Sequence, residues 1–192
     1  MIGQLPGSGF AFVDVDNCAS AEMAVAHLIR LGHTQIACIT NAAAPYTAAV
    51  DRLRGYRNAL EKGGLHFDPA LVRYGDFTVE SGYQQMKGLL ESGVRFTAAF
   101  VASDTLVLGA KAALVERGLR VPQDVALVGF DDLPFAQYMS PPLTTVHLPA
   151  VELARQASNL LICLLQGEQS CRRQTILDTH LVIRRSCGAI VD

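Results

Sequence analysis

Two adjacent carboxylates, Asp131 and Asp132, follow directly on the apolar run from Val125 to Phe130, and they are the first residues that could do chemistry. The stretch from Asp124 to Thr145 reads as a buried strand that ends in a glycine turn and delivers both acids to its C-terminal end. A short helix follows, stopped by Pro141-Pro142. Ligands of open α/β sheets bind beyond the carboxyl ends of the strands. As a catalytic pair the two acids are a weak signal, because chain neighbours tend to point apart and an aspartate after a strand often caps a helix. Asp14 and Asp16, at the end of the first apolar run, carry the same ambiguity. Gly7-Ser8-Gly9 precedes the first strand and has Phe12 at the third glycine position of a dinucleotide loop, so it does not qualify as one. There is no P-loop, GxSxG elbow or HExxH pair, and the five histidines are isolated from one another. No enzymatic activity, cofactor or metal is expected; binding is.

The elements that must position these residues alternate. Phe10 to Val15, Ile36 to Thr40, Thr97 to Val101 and Val125 to Gly129 are short runs apolar at successive positions, as parallel strands covered on both faces require. Helical periods separate them. Ala21, Val25, Leu28 and Ile29 share one face, with Asp16 or Asn17 placed to cap and Gly32 to terminate. Ala49, Leu53, Tyr56 and Leu60 form a second face before Gly63-Gly64. Tyr83, Met86, Leu89 and Leu90 form a third, and Val107, Ala110 and Leu114 a fourth that ends at Gly118. A last helix spans Pro149 to about Gln166. Leu71 to Tyr74, Thr144 to Leu148 and a single extended stretch from Gln174 to Arg184 supply further strands. The pattern predicts an α/β fold of doubly wound parallel sheets, in two lobes joined by several crossings, because strands at both ends of the chain are awkward to place in one sheet.

Composition narrows the partners. The 192 residues are 50% hydrophobic and 18% charged, and 16 basic against 18 acidic side chains leave a net charge of -2. That balance offers no electrostatic footprint for nucleic acid or an anionic membrane. Arg172-Arg173 and Arg184-Arg185, the densest basic clusters, read as a solvated loop and strand end. The five cysteines are odd in number and lack CxxC spacing, which points to a reduced, cytoplasmic setting. No basic leader or membrane-spanning window is visible.

Eight strings, in order, resemble a known family: Leu31-Gly32-His33; Arg52-Leu53-Arg54-Gly55-Tyr56; Gly75 to Tyr83; Ala102-Ser103-Asp104 with Leu108-Gly109-Ala110; Gly118 to Val125; Gly129-Phe130-Asp131-Asp132; Pro141-Pro142-Leu143-Thr144-Thr145; and Arg184-Arg185-Ser186. Together they cover the chain from about Phe12 to Ser186 and are similar to the effector-binding domain of LacI/GalR transcription regulators. The resemblance implies a periplasmic-binding-protein-like fold with an incomplete first lobe, 1–40 and 148–178, and a second lobe of 41–147 and 179–192. It also implies that the helix-turn-helix headpiece and the opening units of the first lobe are absent, so that DNA would be bound only through a headpiece this chain lacks.

The same resemblance places a small-molecule effector in the interlobe cleft, held by Arg52, Phe77, Ser103 and Asp131. Arg52 would offer a fork of donors to hydroxyls or a carboxylate, and Asp131 would accept from hydroxyls or a ring N–H. Phe77 would stack on a sugar face or a base. Ser103 is the weaker polar contact, and Asp104 is expected to cap the helix behind it. Sugars, sugar phosphates and nucleosides or purines all suit this set. A homodimer through the second lobe is implied at Phe135 to Met139 and at the helix carrying Leu106 and Leu108. Two other classes remain open: a stand-alone periplasmic-type sugar receptor and a small doubly wound enzyme. An upstream helix-turn-helix reading frame, a signal peptide or turnover of a candidate ligand would distinguish the three.

Overall fold

A computed structural model describes the chain except for residues 6, 44–45, 168–170 and 191–192. Eight strands and five helices are formed among the described residues: β1 (Phe12–Val15), α1 (Asn17–Arg30), β2 (Ile36–Thr40), α2 (Thr47–Lys62), β3 (Val72–Tyr74), α3 (Val79–Glu91), β4 (Ala98–Val101), α4 (Asp104–Glu116), β5 (Ala126–Asp131), β6 (Thr144–His147), α5 (Ala150–Leu165), β7 (Gln174–Leu177) and β8 (His180–Val182). They build two sheets. The larger has the order β3-β2-β4-β5-β6-β8, parallel throughout except for β8, which runs antiparallel to β6. In the smaller, β1 and β7 pair in parallel, Phe12 opposite Gln174 and Val15 opposite Leu177.

The apolar runs are buried on both faces because helices cover both. On one side Ile36, Cys38, Phe100, Val128 and Phe130 pack against Val25 and Leu28 of α1 and Tyr56 and Leu60 of α2. On the other, Ala37, Ile39, Ala99, Val101 and Leu127 meet Met86 and Leu89 of α3 and Leu106, Val107 and Leu114 of α4. The period of two along each strand sorts alternate side chains between these cores. The helices over the second face approach closely: a Cβ on Gly109 would lie 1.8 Å from the Val79 carbonyl oxygen, and one on Gly82 2.1 Å from that of Leu106. The smaller sheet has only a satellite core, Ala11, Val13 and Val15 against Leu153 and Leu160.

Several expectations are corrected. The first lobe does not run to residue 40: β2 lies between β3 and β4, and α1 packs on α2, so the sheets divide at Asp16. A strand paired on both sides cannot belong to the other lobe, and of the two strands expected there before residue 40 only β1 stays, paired with β7. The expected single stretch from Gln174 to Arg184 is two strands in different sheets, parted at Asp178-Thr179. The short element before Pro141 is a single 3-10 turn, Ala136–Tyr138. Cys163 and Cys171 form a disulfide that their spacing did not suggest. Arg184 is not a solvated strand end: its Nη2 donates to Asp132 at 2.8 Å and its Nη1 to the Leu143 carbonyl. Leu106, assigned to a subunit contact, is fully buried in the core, whereas Tyr138 is 80% exposed. No helix among the described residues is long and apolar enough to cross a membrane.

Candidate functional site

The carboxyl ends of β2, β4 and β5 face the region where β1 enters α1, and the side chains gathered there form one polar chain. Arg52 starts from the second turn of α2 and is 6% exposed. A guanidinium so deeply buried needs acceptors, and it finds them. Nε donates to Asn17 Oδ1 at 2.9 Å, Nη1 donates to the Ala102 carbonyl at 2.6 Å, and Nη1 lies 3.9 Å from Asp131 Oδ1. The guanidinium carbon also sits 3.5 Å from the centroid of the Phe130 ring, an arrangement that favours the cation. Burial lowers the Arg52 pKa, and Asp131, Tyr46, Asp14 and Asp104 oppose that shift.

Asp131 ends β5 with a φ of 119° and accepts from Ser103 Oγ at 3.0 Å. Burial raises its carboxyl above the ordinary aspartate range, while Arg52, Ser103 and the Asp104 backbone N–H pull it down. It therefore sits at the N-terminus of α4, the helix before its own strand, where a carboxylate is favoured, and does not cap a following helix. Asp104 does not cap α4 either. Its Oδ1 accepts from Thr145 Oγ1 at 2.7 Å and its Oδ2 from the Leu133 N–H at 2.9 Å, and burial pushes its pKa up to about 7. Gly129 makes that possible: it continues β5 instead of turning it, and a Cβ there would lie 2.2 Å from Asp104 Oδ1. Asp132 turns away to pair with Arg184 and with His147 Nδ1 at 3.0 Å.

Of the four residues singled out from the sequence, Arg52, Ser103 and Asp131 are in contact with one another in one chain. Phe77 joins them through an intermediary. It is 46% exposed, so it is not a core phenylalanine, and its ring meets Tyr46 edge-on at a centroid distance of 5.1 Å. Phe77 has φ 68° and Asp132 φ 56°; with Asp131 these are the non-glycine residues at positive φ among the described residues. Backbone strain of this kind gathers at functional sites.

A cleft of about 370 Å³ opens beside this chain, lined from β1 and its neighbours by Asp14, Val15 and Leu153 and from the other lobe by Asn17, Tyr46 and Arg52. Asp14, Asn17 and Tyr46 are the residues that sequence reasoning missed or left as caps. Asp16 takes the capping role, accepting from the Ala19 N–H, which frees Asn17 to face Arg52. The available signal was Arg52 itself, since a buried guanidinium demands nearby acceptors. Nothing in the sequence marked Tyr46. Among the described residues no group of three or more His, Cys, Asp or Glu is placed to hold a metal ion.

Comparison with known proteins gives this geometry a context. A family model described as a periplasmic binding protein-like domain matches residues 25–187. The HTH-type transcriptional regulator CelR of Thermobifida fusca is 40% identical over 182 residues, which is 95% of this chain and 53% of the relative. The HTH-type transcriptional repressor CytR of Escherichia coli (strain K12) is 38% identical over 180 residues, 93% of this chain and 52% of the relative. The chain thus spans about half the length of the curated relatives it matches. Among solved structures, a CelR-cellobiose complex superposes with a TM-score of 0.90 at 40% identity, covering 95% of this chain and 55% of that one. A dimeric Lac repressor superposes with a TM-score of 0.86 at 32% identity, over 95% of this chain and 66% of that one.

Proposed function

Because the chain belongs to the periplasmic binding protein-like family and matches the effector-binding domain of LacI-family transcription regulators, we propose that it senses a small molecule in the interlobe cleft and passes that signal to a DNA-binding headpiece outside these residues. One observation carries the reading: the buried polar chain from Asp14 through Asn17, Arg52 and Asp131 to Ser103 runs from the β1 lobe into the larger one and borders an open cleft. Arg52, Ser103 and Asp131 are the proposed polar contacts, and Phe77 with Tyr46 the aromatic wall. A ligand that touches both lobes favours their closed arrangement in proportion to its difference in affinity for open and closed states. The work is binding, with no catalytic step, in the cytoplasm.

A thermal-shift screen of sugars, sugar phosphates and nucleosides identifies the effector, since a ligand that binds only the folded state stabilises it. Arg52→Ala then weakens that ligand by about one to two decades in Kd, the loss of a charge-assisted hydrogen bond worth roughly 1.5–3 kcal/mol. Unchanged affinity by calorimetry removes Arg52 from the site. Dimerisation is assigned to the larger lobe at Phe135 to Met139, with Tyr138 its most exposed aromatic; sedimentation as a monomer at high concentration excludes it. One observation favours a second reading, an exported sugar receptor: the Cys163–Cys171 disulfide suits an oxidising compartment. A signal peptide upstream of the chain, in place of a helix-turn-helix, decides for the receptor.

A further inference from the structure

The charges around the cleft are unevenly matched. Arg52 supplies a guanidinium whose Nε and Nη1 are already bonded to Asn17 and Ala102, which leaves Nη2 without a hydrogen-bond partner among the described residues. Asp131 stands 3.9 Å from Nη1 on one side. On the other side Asp14 lines the cleft from β1, with Oδ1 accepting from the Val15 N–H at 2.8 Å and from Asn17 Nδ2 at 3.4 Å. One arginine is therefore flanked by a carboxylate from each lobe, and Asn17 bridges Asp14 to it.

We propose that this cleft selects an uncharged, hydroxyl-rich ligand and rejects its phosphorylated counterpart, with Asp14 as a specificity-determining residue. The inference rests on the effector reading above and narrows its ligand class. A carboxylate accepts hydrogen bonds and donates none, so Asp14 and Asp131 suit sugar hydroxyls or amino groups, while Arg52 Nη2 donates to a hydroxyl or ring oxygen. A phosphate dianion in the same space meets two like charges for one opposite charge that is already half used. Burial pushes the Asp14 carboxyl up, but the Val15 N–H, Gln4, Arg52 and Asn17 each favour its ionised form.

The test is calorimetric titration of the 192-residue chain with matched probes: cellobiose, glucose and adenosine against glucose 6-phosphate and AMP. The expected result is a neutral probe that binds at least about tenfold more tightly than its phosphorylated partner, the scale of one unfavourable charge contact at intermediate dielectric. Asp14→Asn, which keeps shape and removes charge, should narrow that ratio. A phosphorylated probe that binds the unaltered chain as tightly as its neutral partner overturns the selectivity and leaves the effector reading intact. An unchanged ratio in Asp14→Asn overturns the role of Asp14. If none of the five probes binds, and no sugar, sugar phosphate or nucleoside in the thermal-shift screen does, the effector reading itself falls, and the inference with it.

Discussion

The two sheets solve the same packing problem with unequal material. The six-stranded sheet is covered on both faces, and its strands β2 and β4 are buried at every residue. Among the described residues the β1–β7 pair is covered by α5 alone, and α5 leaves Val151, Leu161 and Leu165 exposed at 84%, 57% and 78%. Buried apolar area scales the stability of each part. The larger lobe is therefore the more stable frame. Arg52, Ser103 and Asp131 all rise from the frame, and Asp14 stands opposite them on β1. The proposed site is thus divided, with three of its polar side chains on the frame and Asp14 facing them from β1.

The contrast can be broken in steps. Phe100→Ala, at the centre of the larger sheet, is expected to cost about 3–5 kcal/mol in chemical denaturation, the range for deleting a buried aromatic. A loss comparable to that of a surface residue would deny the frame its role. Asp104 tests the frame electrostatically. Its folded pKa of about 7 lies above the unfolded 3.8, so its contribution to stability is fully present below pH 4 and is lost as pH rises to about 7. The slope approaches about 1.4 kcal/mol per pH unit within that window. Asp104→Asn should flatten the pH profile of unfolding there; an identical profile in both proteins rules out the burial of an ionisable group.

In the smaller lobe, Leu160→Ala should cost about 2 kcal/mol, the low end for a core leucine, because it is 8% exposed and belongs to a core of five buried residues. Its effect should appear as faster amide exchange in β1 and β7 with β2, β4 and β5 unaffected, as expected for regions that open independently. Uniform acceleration across both sheets would show one cooperative unit. Val151→Ser, on the exposed side of α5, should change stability by less than about 0.5 kcal/mol. A larger loss would mean that this face is covered in solution.

Much of the frame was legible because it rests on local signals. Strands buried on both faces produce continuous apolar runs, and helices over them produce periods of three and four; both place β2, β4, β5 and α1 to α4 within a few residues. The division into lobes was not legible at its first boundary. Asp16 is a single-residue crossing, and nothing in Ile36 to Thr40 says which sheet that strand will join. The break at Asp178-Thr179 hid for the same reason: β7 and β8 look like one extended run until their partners are known.

By itself the sequence determined the alternation of strands and helices, the acids at the end of β5 and the family to which the chain belongs. These follow from side-chain period and residue order, which survive without tertiary contacts. Only the folded structure decided that Asp16 caps α1 while Asn17 turns to Arg52, that Asp104 is buried instead of capping its helix, and that Asp14 faces the arginine from the opposite lobe. Such roles depend on which donor lies within about 3 Å of which acceptor, and that is set by elements distant in the chain.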